Sequence, residues 1–141
     1  MQIELASEVA LFEGARELLV ALRGKVKVGL ASMNNRSVIM HLLQINGLAD
    51  CFDTILTVEE VSYSKPDPEI FLKTAAQLKA LPELSVVLED SLFGVKAAKA
   101  GNMCCIVVTT GVYSKQELMV EKPDLIVKTL KDPQILRFIL Q

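Results

Sequence analysis

Two adjacent carboxylates, Glu89 and Asp90, end the apolar run Ser85-Val86-Val87-Leu88 and stand just before a helix start at Ser91. A hard cation such as Mg²⁺ is held by one or two carboxylates, with water and phosphate oxygens completing its shell. Ser32 closes a second apolar run, Val28-Gly29-Leu30-Ala31, ahead of a helix beginning near Asn34 or Asn35. A hydroxyl beside backbone N–H groups at a helix start is a ready place for an anion. Lys65 lies in Ser64-Lys65-Pro66-Asp67-Pro68. A residue before proline is pushed towards extended backbone, and a lysine held that way can set a point charge over a phosphate and offset charge gathered at a metal. Arg36 and Asn34 are weaker phosphate donors. Each signal also has an ordinary explanation: Ser32, Asp90 and Ser91 as helix caps, Lys65 as a solvated lysine. His41 lies off the apolar stripe of its helix and reads as solvated.

The elements that must position these groups alternate along the chain. Ala15, Leu18, Leu19 and Leu22 form one apolar stripe of a helix opened by Gly14 and stopped near Gly24. A strand over Val26–Ser32 follows, then a helix marked by Val38, Ile39, Leu42 and Leu43 and closed by Asn46-Gly47. Phe52–Thr57 reads as a short strand. Asp67 and Pro68 open a helix through Leu78. Ser85–Leu88 is a buried strand, Ser91 caps the helix that Gly101 stops, and Cys104–Thr109 is another strand. A short helix over Lys115–Met119, a strand over Leu125–Val127 and a helix from about Pro133 complete the order. Strands alternating with helices predict an α/β domain with a mostly parallel sheet. In such sheets ligands bind beyond the carboxyl ends of the strands, which is where Ser32 and Glu89-Asp90 fall; Lys65 lies in a loop before a helix.

The 141 residues suffice for one domain, and the hydrophobic share of 51% separates the chain from disordered sequences. A net charge of −2, with two Tyr, five Phe and no Trp, argues against a nucleic-acid surface. Three cysteines, two of them adjacent, fit neither a disulfide framework nor a zinc pattern. No apolar stretch is long enough for a membrane span and no signal peptide is visible, so the expected location is cytoplasmic. The mean hydropathy of +0.38 is high, as buried parallel strands would make it.

The order and spacing of three segments carry more than each alone. Leu30-Ala31-Ser32, then Ser64-Lys65-Pro66-Asp67-Pro68-Glu69-Ile70-Phe71, then Val87-Leu88-Glu89-Asp90-Ser91-Leu92-Phe93-Gly94 through Gly101 resemble the haloacid dehalogenase superfamily. The branch they resemble most holds β-phosphoglucomutase and phosphoglycolate-phosphatase-like enzymes. The resemblance implies a Rossmann-like three-layer α/β/α core and Mg²⁺-dependent phosphoryl transfer on a small phosphorylated metabolite. It assigns phosphate binding to Ser32, Met33, Asn34 and Lys65, with Ser32 and Lys65 as catalytic-site groups. It assigns the metal to Asp90 and Glu89, and places a small residue at Gly94. It also implies that residues 1–11 are a remnant of a cap or linker and that residues 12–141 are core.

The departure from the family is large. Its first strand ends in Asp-x-Asp, the nucleophile and the general acid–base, and a cap domain follows. No Asp-x-Asp occurs here; Asp67-Pro68-Glu69 is the nearest match and belongs to the lysine motif. The chain is therefore expected to be the core half of a phosphatase or phosphomutase, inactive alone, or else a non-catalytic scaffold with a binding role. The family's first strand lies at the sheet centre, between Val26–Ala31 and Ser85–Leu88. Three solutions for that slot follow: the two edges pair directly, Gln2–Leu11 supplies a substitute strand, or a second molecule enters and the chain self-associates. Ile3, Leu5, Val9 and Leu11 are apolar enough for the second, although Ala6-Ser7-Glu8 reads more like helix.

Overall fold

The computed structural model describes the backbone of residues 2–141 and the side chains of residues 9–141. Six strands form one parallel sheet: β1 (Gln2–Ala6), β2 (Val28–Ala31), β3 (Thr54–Leu56), β4 (Ser85–Glu89), β5 (Cys104–Val108) and β6 (Leu125–Val127). Their order across the sheet is β3-β2-β1-β4-β5-β6. The helices are α1 (Ser7–Ala10), α2 (Ala15–Leu22), α3 (Arg36–Ile45), α4 (Glu69–Gln77), α5 (Leu92–Ala100), α6 (Lys115–Met119) and α7 (Gln134–Leu140).

The central slot is filled from within the chain. Ile3, Glu4, Leu5 and Ala6 pair with Val28, Gly29, Leu30 and Ala31 on one side. Gln2 to Leu5 pair with Ser85 to Leu88 on the other. The amino-terminal segment is thus the solution adopted; the helix read at Ala6-Ser7-Glu8 begins at Ser7, and Ala6 is the last residue of the strand. Five residues anticipated as cap or linker here build the sheet's middle strand.

Alternation along the strands sends side chains into two cores, one on each face. On β4, Val86 and Leu88 join the core that α2, α3 and α7 cover with Leu22, Ile39, Leu43, Ile135 and Ile139. Val87 joins the core that α4, α5 and α6 cover with Phe71, Ala75, Val95, Ala98 and Leu118. This is the three-layer arrangement the family resemblance implies. Both edge strands enter beside an aspartate: Asp53 accepts from the Val28 N–H at 2.7 Å, and Asp124 from the Cys105 N–H at 2.7 Å. Each aspartate stands one residue before its strand and ties it to the neighbouring one.

Helix starts follow the expected chemistry. Asn35 caps α3 by accepting from the Val38 N–H at 2.9 Å. Ser91 caps α5 through the Gly94 N–H at 3.1 Å. Asp67 accepts from the Glu69 N–H at 3.0 Å, one residue ahead of the expected helix interior, because α4 begins at Glu69 with Pro68 as its cap. The cysteines are free. Cys105 is fully buried, and burial pushes its thiol well above the ordinary range. Among the described residues no helix is long and apolar enough to cross a membrane.

Candidate functional site

The strand order reverses its direction of growth beside β1. From there β2 and β3 extend one way, and β4, β5 and β6 the other. Ligand crevices of open α/β sheets form at that point, beyond the carboxyl ends. A cleft of about 460 Å³ opens there, lined by Met33, Ser64, Lys65, Glu89, Asp90, Ser91, Phe93, Val112 and Tyr113.

Lys65 reaches it from the loop before α4, and its Nζ donates to Glu89 Oε2 at 3.0 Å. The side chains are 11% and 1% exposed, so this ion pair is almost dry. The ammonium also stands 4.9 Å from the centre of the Phe71 ring. Glu89 Oε1 accepts from the Asp90 N–H at 3.1 Å and from the Ser91 hydroxyl at 3.3 Å. Both oxygens of Glu89 are therefore engaged by the protein. Glu89 pairs with Lys65, and Asp90, half-buried, lines the cleft beside it.

Two glycines make room for them. A Cβ at Gly94 would overlap the Glu89 carboxylate, and one at Gly111 would lie 3.1 Å from Asp90 Cβ. Gly94→Ala must displace a buried carboxylate already held by Lys65, and overpacking of this kind costs about 1–3 kcal/mol. At Gly101, by contrast, the nearest atoms to an added Cβ stand at 3.4 Å. Urea melts of the two alanine variants are expected to show a clear loss for Gly94→Ala and little change for Gly101→Ala. Equal midpoints would contradict this close packing.

The remaining sequence candidates divide. Ser32 ends β2 at the same edge of the sheet, but it is buried, and its hydroxyl accepts from the Asn34 N–H at 3.0 Å. Met33, next to it, lines the cleft; Ser32 and Asn34 do not. Arg36 turns away to an ion pair with Glu60 and donates to the Ile55 carbonyl at 2.9 Å. His41 is exposed. The loop after β5 was missed: Val112 and Tyr113 form one wall. The rule that ligands meet strand ends applies to Val108 as much as to Glu89 and would have pointed there.

No group of three or more His, Cys, Asp or Glu side chains that could hold a metal ion occurs among the described residues. The donor set fits a cation that keeps waters and shares phosphate oxygens, which is how Mg²⁺ is bound with only one or two carboxylates.

The fold and this cleft define an α/β domain with a ligand crevice at the carboxyl ends of its strands, and comparison with known proteins gives the family. The family model for haloacid dehalogenase-like hydrolases matches residues 1–108. Hexitol phosphatase B of Escherichia coli (strain K12) is 38% identical over 112 residues, 74% of this chain and 50% of that protein. The crystal structure of β-phosphoglucomutase from Clostridium difficile superposes with a TM-score of 0.78 at 25% identity, covering 96% of this chain and 58% of that one. CbbY from Rhodobacter sphaeroides, in complex with phosphate, does so with a TM-score of 0.77 at 27% identity, covering 86% and 55%. The chain belongs to the haloacid dehalogenase-like hydrolases. Within them it is similar to β-phosphoglucomutase and CbbY. It spans about half the length of the relatives it matches.

Proposed function

We propose that this chain carries the phosphate- and metal-holding half of a Mg²⁺-dependent phosphatase or phosphomutase that acts on small phosphomonoesters, phosphorylated sugars above all. The observation that carries the reading is the Lys65–Glu89 pair, 3.0 Å long, beside Asp90 on the cleft wall. Phosphoryl transfer depends on positioning and on charge stabilisation. Lys65, fixed by Glu89, would meet a phosphate oxygen, and the Met33 backbone, which lines the cleft, would meet another. Asp90 would hold the Mg²⁺, with Glu89 supporting it from behind through Lys65. When bound, the ion supplies neutralisation of the charge on the phosphate oxygens. The sugar preference follows from relatives such as hexitol phosphatase B and a protein named phosphorylated carbohydrates phosphatase from Thermotoga maritima. Three free cysteines accord with a cytoplasmic setting.

The attacking group is what this chain lacks. The strand in the central slot runs Gln2-Ile3-Glu4-Leu5-Ala6 and continues into Ser7-Glu8, with no Asp-x-Asp. By itself the chain is expected to bind phosphate and to hydrolyse no phosphomonoester. That same lack favours, for this polypeptide alone, the second reading of a non-catalytic phosphate-binding scaffold. Calorimetry with inorganic phosphate tests the site. Mg²⁺ is expected to strengthen binding to the chain and to lose that effect in Asp90→Asn. No Mg²⁺ effect in either protein would remove the assignment of Asp90. Metal-dependent turnover of p-nitrophenyl phosphate by the purified chain, with contaminants excluded, would refute its inactivity.

A further inference from the structure

An ammonium group has three N–H donors and a full charge to satisfy. At Lys65, Glu89 Oε2 takes one donor at 3.0 Å. The face of the Phe71 ring covers another side, its centre 4.9 Å from Nζ. Lys65 still lines the cleft, but Phe71 is fully buried and does not. The ring therefore touches the lysine and never a ligand.

The chain is folded to make this contact. Phe71 is the third residue of α4, and Lys65 lies in the loop before it. Glu69 Oε1 accepts from the N–H groups of Ser62 and Tyr63, each at 2.8 Å, and so draws the loop back onto the helix. The Ser64 carbonyl accepts from the Asp67 N–H at 3.0 Å, and Asp67 accepts from the Glu69 N–H at 3.0 Å. Lys65 is thereby returned over the first turn of α4. Phe71 itself is fixed in the core that holds Val87, Val95 and Ala98. The choice of partner has an electrostatic reason. Lys65 and Glu89 already sum to zero charge, so a second carboxylate would make the group negative and repel a phosphate. An aromatic face attracts a cation through its quadrupole and adds no net charge.

We infer that Phe71 is a positioning residue of the phosphate site: its ring face holds the Lys65 ammonium at the cleft, and phosphate affinity depends on the electrons of that ring as well as on its bulk. The inference rests on the proposed phosphate site at Lys65 and Asp90, and it adds a residue that no ligand reaches. A side chain that merely fills the core would be replaced without loss by any ring of the same shape. A ring that holds a cation would not. Fluorine substituents withdraw electron density from the ring face while changing its shape little, so they weaken the hold on Lys65 in steps.

The test uses the full chain with Mg²⁺, inorganic phosphate as the probe, and phenylalanine carrying one, two or three fluorines placed at position 71. Calorimetry is expected to show phosphate affinity falling with each added fluorine, to about tenfold weaker for the trifluorinated ring, a tenfold loss being about 1.4 kcal/mol. Phe71→Leu, which removes the ring face altogether, is expected to weaken phosphate at least as much. In NMR spectra the ε-methylene protons of Lys65, shifted by the ring in the unsubstituted chain, are expected to return towards those of exposed lysines in that variant. Phe71→Leu opens a gap in the core and can cost stability, so the fluorinated rings, which keep the packing, decide the matter. Equal phosphate affinity across the fluorinated series would overturn the positioning role and leave Phe71 a core side chain. So would an equal loss from the same fluorines on Phe138, which packs in the other core. Failure of the unsubstituted chain to bind phosphate would instead overturn the phosphate site at Asp90, and the role of Phe71 with it.

Discussion

Lys65→Met is expected to destabilise the chain by roughly 3–5 kcal/mol, the usual cost of breaking a buried ion pair from one side. The reason lies with the partner left behind. Glu89 is 1% exposed, and Lys65 is the only cation paired with it among the described residues. Without that ammonium, the carboxylate keeps only the Asp90 N–H and the Ser91 hydroxyl. Lys65→Met/Glu89→Gln removes both charges and should recover a large part of the loss, since the amide can still accept from those two donors. A double-mutant cycle read by urea melts decides the matter. Additive losses would show that the two side chains are not coupled. The cycle also bears on function: if Glu89 chiefly fixes Lys65, then Glu89→Gln should weaken phosphate binding through a mobile lysine, with Asp90 intact.

Much of this arrangement was legible in the sequence because it rests on local rules. A serine or asparagine before an apolar periodic run caps a helix, and Ser91 and Asn35 do so. A carboxylate pair ending an apolar strand falls at the sheet's ligand edge, as Glu89-Asp90 does. Which of the two pairs with Lys65 was not legible. It depends on which oxygen meets a lysine 24 residues away and on the space left by Gly94, and neither is a property of spacing. Ser32 shows the same limit: its position at the end of β2 follows from the pattern, but its inward hydroxyl follows from the turn to Asn34.

The central strand was the hardest element to read, and for a physical reason. A strand flanked on both sides in a parallel sheet is usually a continuous apolar run. Gln2-Ile3-Glu4-Leu5-Ala6 instead alternates, which suits a half-buried strand and gives little indication of a central place. Its position predicts the second large effect: deleting residues 1–6 is expected to abolish the cooperative unfolding transition. β1 pairs with β2 over four positions and with β4 over another four, Ile3, Glu4 and Leu5 being shared between them. Removing it strips N–H and C=O groups on two inner strands of their partners. Each such buried group left unpaired costs about 1–3 kcal/mol, so a few of them equal the ~5–15 kcal/mol that holds a whole domain together. Val9 and Ala10, buried in α1, would lose the strand that leads into them. The truncated chain has two ways to recover: β2 and β4 can close on each other, or a second molecule can fill the slot. Closure would pull Ser32 towards Glu89 and distort both cores, so association is the expected result. Light scattering after size exclusion should therefore show a monomer for the full chain, whose slot is filled from within, and concentration-dependent association or loss of folded material for the truncation. A truncated monomer with an unchanged urea midpoint would show that Gln2–Ala6 contributes nothing to the sheet it completes.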